Sequence, residues 1–140
     1  MTMMNIVELT WERGRMEDLR YGDDAHFYAF SIGSRLEYVG IAYYQDVANE
    51  VSKTLLAFDL DSDELVVWLA FIKSTDYERI TEQIVKDVEC LLIFTNKPSL
   101  NTQCMSSYAG RYNLTVKSKG LPLIKACVKV ERGYINGKCS

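Results

Sequence analysis

Apolar and polar positions change period several times along the chain, and each change predicts an element. In "NIVELTW", Asn5 to Trp11, apolar residues alternate loosely, the mark of a short strand, and the polar stretch "ERGRMEDLRYGDD" after it predicts a loop. "HFYAFSI" and "RLEYVGIAYY" are rich in aromatics and flank Gly33-Ser34, which predicts a β-hairpin. From Gln45 the spacing lengthens. Val47, Val51 and Leu55 recur every four residues behind Asp46, a helix-capping residue type, so a short helix should end before "DLDSD".

The run "LVVWLAFI", Leu65 to Ile72, does not alternate, which predicts a central strand covered on both faces. Thr75 with Glu78 has the form of a capping box, and Ile80, Ile84, Val88 and Leu91 then predict a long helix to about Thr95. Pro98 stops it. Further on, Tyr112, Leu114 and Val116 alternate with Asn113, Thr115 and Lys117, while Ile124, Ala126, Val128 and Val130 alternate with Lys125, Cys127, Lys129 and Glu131. Joined by "SKGLP", these segments predict a second hairpin with one apolar and one mostly basic face, and "ERGYINGKCS" reads as a loose tail. The expected product is a single α/β domain: a small mixed, largely antiparallel sheet flanked by helices, with an added C-terminal β-hairpin.

At 140 residues with 48% hydrophobic and 25% charged composition, the chain can bury a core unaided, and low complexity and disorder are excluded as its main character. No export signal is legible at the start, and the longest apolar run is far below the roughly 20 residues needed to span a bilayer, so a cytoplasmic location is expected. Cys90, Cys104, Cys127 and Cys139 lie 14, 23 and 12 residues apart, which matches neither a zinc site nor a redox pair. Reduced thiols are expected. Charge is divided: residues 1–96 hold 18 acidic against 8 basic residues, whereas residues 97–140 hold 8 basic against Glu131 alone. Either the two parts neutralise each other across the folded surface, or the basic part meets a polyanion such as nucleic acid.

The stretch "VECLLIFTNKPSLN" carries the most suggestive chemistry. Glu89 falls at the border of the helix's apolar stripe, where partial burial without a partner is costly. A hard divalent cation or a nearby donor would relieve that cost; a solvated helix position is the ordinary alternative.

In the order of its segments and their side chains, the chain resembles the GIY-YIG nuclease superfamily over residues 26–101. "HFYAF" occupies the first strand motif, so that Tyr28 matches its tyrosine, and Tyr38, Val39 and Gly40 occupy the second. Glu89, Pro98 and Asn101 match the remainder, with the twelve-residue interval from Glu to Asn looking like that of the excision-repair branch. The resemblance implies a metal-dependent endonuclease that hydrolyses phosphodiester bonds of DNA. In it Glu89 holds Mg²⁺ or Mn²⁺, Tyr28 aided by Tyr38 positions or deprotonates the attacking water, and Asn101 braces Glu89. Two positions depart from the pattern: His26 stands where the family has a glycine, and Glu50 where its helix carries an arginine, leaving Lys53 as the nearest cation. His26 could assist proton transfer or serve only the strand.

The second hairpin, residues 108–132, has no role in the family's catalytic module. Its basic residues Arg111, Lys117, Lys125, Lys129 and Arg132 could track a nucleic-acid backbone or form a solvated face, and Tyr108, Tyr112 and Tyr134 interleave with them as candidate base-stacking groups. The alternative to a nuclease is a non-catalytic nucleic-acid or protein binding module on the same fold.

Overall fold

A computed structural model describes residues 5–14, 25–131, 134–136 and 139. The elements run β1 (Ile6–Gly14), β2 (Phe27–Ile32), β3 (Arg35–Ile41), α1 (Val47–Ala57), β4 (Leu65–Thr75), α2 (Glu82–Asn96), β5 (Leu114–Lys119), β6 (Cys127–Glu131) and β7 (Tyr134–Asn136). The strands form a mixed, strongly curled half-barrel sheet in the order β3-β2-β4-β1-β5-β6-β7. Every pairing is antiparallel except β1 with β5.

The β2–β3 hairpin forms where its turn residues predict, with Ile32 paired to Arg35 and Gly33 at φ 59°, a left-handed value that glycine adopts without Cβ strain. Its register slips between Phe30 and Ser31, which leaves Glu37 as the extra residue of a bulge in β3. Helix α1 starts behind the Asp46 cap, whose carboxylate accepts from Ala48 N. It crosses from β3 to β4 over β2 and buries Val47 and Val51 against Tyr28, Phe30 and Val67.

Helix α2 fills the opposite, concave face. Its buried residues Ile84, Val85, Val88, Leu91, Leu92 and Ile93 join Leu9, Trp11, Phe27, Val39, Val116 and Val128 in the main core. Each large side chain of this stripe contributes about 1.5–3 kcal/mol by leaving water. Strands β3 and β6 lie far apart in the sheet, yet both touch α2, because the sheet curls around it. That curl brings the α2 side chains to the β3 end of the sheet.

Four expectations need correction. The capping box at Thr75 does not form: β4 runs through Thr75, whose hydroxyl donates to Ile6 O and accepts from Tyr77 N, and α2 begins behind Thr81. Strand β4 is central, lying between β2 and β1, but its cover is incomplete, since Phe71 is 40% exposed. The cysteines are not free thiols: Cys90 pairs with Cys104 and Cys127 with Cys139, at Cα separations of 5.4 and 5.5 Å. In the expected tail, Tyr134–Asn136 forms β7 on β6, and Cys139 is tied back to β6 by its disulfide. No helix of the described residues is long and apolar enough to cross a membrane.

Candidate active site

The turn after α2 decides how the site is built. Lys97 closes the helix in the left-handed conformation with its N–H on Ile93 O, and Pro98 follows the cap. The chain then runs along the free edge of β3. Ser99 N donates to Leu36 O and Leu100 N to Glu37 O, while the Asn101 amide accepts from Val39 N and donates to Val39 O, both at 3.0 Å. The Ser99 hydroxyl donates to the buried Glu37 carboxylate, which also takes two bonds from Arg35. These donors, Ser99 first, hold the Glu37 carboxyl below its usual range. Asn101 therefore does not brace Glu89. It acts as a strand partner for β3, fixing the backbone beside Tyr38.

Tyr28 on β2 and Tyr38 on β3 point to the α1 side with ring centroids 6.0 Å apart. Their closeness explains the glycine of "YVG". A Cβ on Gly40 would lie 2.6 Å from Tyr28 Cζ and 2.8 Å from Tyr38 Cε1, so only a bare backbone leaves room for both rings. The Tyr28 hydroxyl lies 2.9 Å from Thr54 Oγ1. Thr54 Oγ1 also bonds Glu50 O one turn back, which ties the Tyr28 hydroxyl to α1. Burial pushes the Tyr28 phenol well above its ordinary pKa, and burial followed by the Glu89 charge raises Tyr38. Both are neutral phenols near pH 7.

Tyr28, Tyr38 and Glu89 line one cleft of about 500 Å³, with Glu50 and Thr54 of α1, Lys86 and Asp87 of α2, and Gly110 of the following loop. Glu89 is mostly buried there, and burial, only partly offset by Lys86, lifts its carboxyl to about 7. The loop wall is tied to α2 by the Cys90–Cys104 disulfide and by Asp87, whose Oδ2 accepts from Arg111 N and Tyr112 N while Oδ1 accepts from Gln83 Nε2.

The other predicted residues lie elsewhere. Lys53 does not line the cleft; it is largely exposed and pairs with Glu50 at 3.5 Å. His26 is absent from the cleft wall too: its Nδ1 accepts from Ile72 N, and its ring lies 6.4 Å from Tyr43. Lys117 on β5 and Lys129 on β6 share the outward sheet face with Thr115, but Lys117 is in register with Glu8 of β1, which dilutes the basic stripe. Lys125 precedes β6 rather than alternating along it, with its N–H on Asn96 Oδ1. Arg111 reaches Asp87 through its main chain, and Arg132 lies outside the described residues. Tyr134 is exposed on β7, whereas the Tyr108 hydroxyl is engaged with Tyr112 O.

Comparison of the chain with protein-family models, with curated proteins and with solved structures finds no match. The reading of the cleft therefore rests on its chemistry. Among the described residues no three His, Cys, Asp or Glu side chains cluster as a ready-made metal cage. Glu89 nonetheless offers a carboxylate oxygen in a cleft, desolvated and only partly offset by Lys86. Mg²⁺ is commonly held by one or two carboxylates and keeps several waters, so a single carboxylate such as Glu89 fits it. Sequence reasoning missed Asp87 and Lys86. Asp87 reads as a polar helix position until the distant 110–112 backbone returns to cover it, but Lys86 could have been found from its place three residues before Glu89 on the same helix face.

Proposed function

We propose that the domain is a GIY-YIG-like, divalent-metal-dependent endonuclease acting on DNA. One observation carries this reading: two tyrosines from paired strands and a glutamate from a separate helix share a cleft, as the family's chemistry requires. Mg²⁺ or Mn²⁺ held by Glu89 would supply Lewis-acid activation of a phosphodiester. Hydrolysis joins a water oxygen to phosphorus, breaks one P–O ester bond and delivers a proton to the leaving alkoxide. The phenols would serve as positioning groups for that water rather than as bases, since burial holds both neutral.

The test is nicking of supercoiled plasmid by the purified chain. Relaxation is expected with Mg²⁺ or Mn²⁺, loss of it with chelator, and loss of it in Glu89→Gln. Intact plasmid at high protein concentration with either metal would overturn the assignment. A second reading, a non-catalytic nucleic-acid binding module, is favoured by Glu50 standing on the cleft wall with Lys53 paired to it, where the family pattern has a free cation. Salt-sensitive DNA binding through Lys117 and Lys129 without cleavage is its signature. The paired cysteines weigh against a cytoplasmic location, because structural disulfides belong mainly to oxidising compartments.

A further inference from the structure

We infer that Lys86 is the side chain that holds the substrate phosphoryl group in this cleft, taking over the charge that helix α1 does not provide. The inference rests on the phosphodiesterase reading and assigns the part that reading leaves open. Charge builds up on the phosphoryl oxygens as water adds, and a site without a cation there forgoes a large share of its rate. Of the described residues that line the cleft, Lys86 alone is cationic. Lys53, which pairs with Glu50, and Arg111, which meets Asp87 through its main-chain N–H, do not line it.

Lys86 precedes Glu89 by three residues, which puts both side chains on one face of α2. Both residues line the same cleft. Its own partner is weak. The Lys86–Glu82 pair spans 3.3 Å between side chains 55% and 61% exposed, and an exposed pair of this kind is easily exchanged for a phosphate. A lysine delivers a compact charge on a flexible stem, which suits monodentate contact with one phosphoryl oxygen.

Two measurements test this. In plasmid nicking with Mn²⁺, Lys86→Gln is expected to lower kcat by about 10²-fold with a smaller change in KM, Lys86→Arg to recover most of it, and Lys53→Gln to leave it within a few fold. Unchanged kcat in Lys86→Gln beside an active wild type would overturn the inference while leaving the nuclease reading intact. Independently of turnover, the dinucleotide pTpT with Ca²⁺ should shift the side-chain ammonium resonance of Lys86 saturably, and Lys86→Gln should bind it at least tenfold more weakly. A shift without any cleavage would support the phosphate contact and sink the nuclease reading; binding that ignores Lys86, or no binding at all, overturns the contact.

Discussion

Replacing Asn101 by Ala should remove the bridge between the post-α2 turn and β3, and its cost follows from the geometry. Asn101 is 7% exposed and Val39 0%, so water cannot take over the Val39 N–H and C=O once the amide is gone. Each orphaned buried group costs about 1–3 kcal/mol, giving about 2–6 kcal/mol for the two, a large share of the roughly 5–15 kcal/mol that holds a domain together. Asn101→Asp keeps an acceptor for Val39 N–H but sets a carboxylate oxygen against Val39 O, so it should cost at least as much at neutral pH. Urea unfolding with both disulfides intact measures the loss, and an unchanged m-value shows that the folded and unfolded states kept their compactness. Amide exchange supplies a local readout, since Val39 N–H should lose protection in Asn101→Ala. A loss under about 1 kcal/mol with Val39 still protected would refute the argument.

Four further outcomes are expected. Because Glu89 is raised from 4.5 to about 7, its contribution to stability is fully present below pH 4.5 and is lost as pH rises through about 7. The loss is about 1–3 kcal/mol after allowing for partial exposure, and Glu89→Gln should abolish that part of the pH slope in denaturation curves. Replacing Cys90 and Cys104 together by Ser opens a loop with a sequence separation of 14 and should lower unfolding free energy by about 3 kcal/mol. Asp87→Ala strips the partners from Arg111 N, Tyr112 N and the Gln83 amide and should cost about 3 kcal/mol in the same assay, with the 108–112 backbone losing exchange protection first. Gly40→Ala should drive Tyr28 off its place and cost about 1–3 kcal/mol; a crystal structure of that variant with Tyr28 unmoved would contradict the packing argument.

How much of this was legible depends on how local each signal is. The β2–β3 hairpin and α1 follow from Gly33-Ser34 and Asp46, residues that act within a few positions of themselves, and the β5–β6 pairing follows from alternation. The start of α2 was misplaced because Thr75 and Glu78 have the right spacing for a cap, while Thr81, the true cap, lacks a glutamate three residues on. What tips the balance is Thr75 bonding Ile6 O, a contact with β1 that no short window contains. The disulfides are invisible for the same reason: separations of 14 and 12 acquire meaning only when the loop after α2 folds back on the helix and the chain end on β6. At the cleft, the pattern of tyrosines and glutamate points to residues that do come together, and helix spacing from Glu89 reaches Lys86, but neither carries information on Asn101's actual partner or on the cover of Asp87. Those depend on the curl of the sheet around α2.

The segment Ser99–Asn101 has one more consequence. An outermost strand with bare amides and carbonyls is a template on which a second chain can polymerise, and such edges need blocking. Here the blocking piece is a short non-helical stretch, covering Leu36 O, Glu37 O and both main-chain groups of Val39. Damage to this turn therefore does more than loosen the fold: it uncovers a sticky rim, and the first symptom of a weakened variant should be self-association that grows with protein concentration.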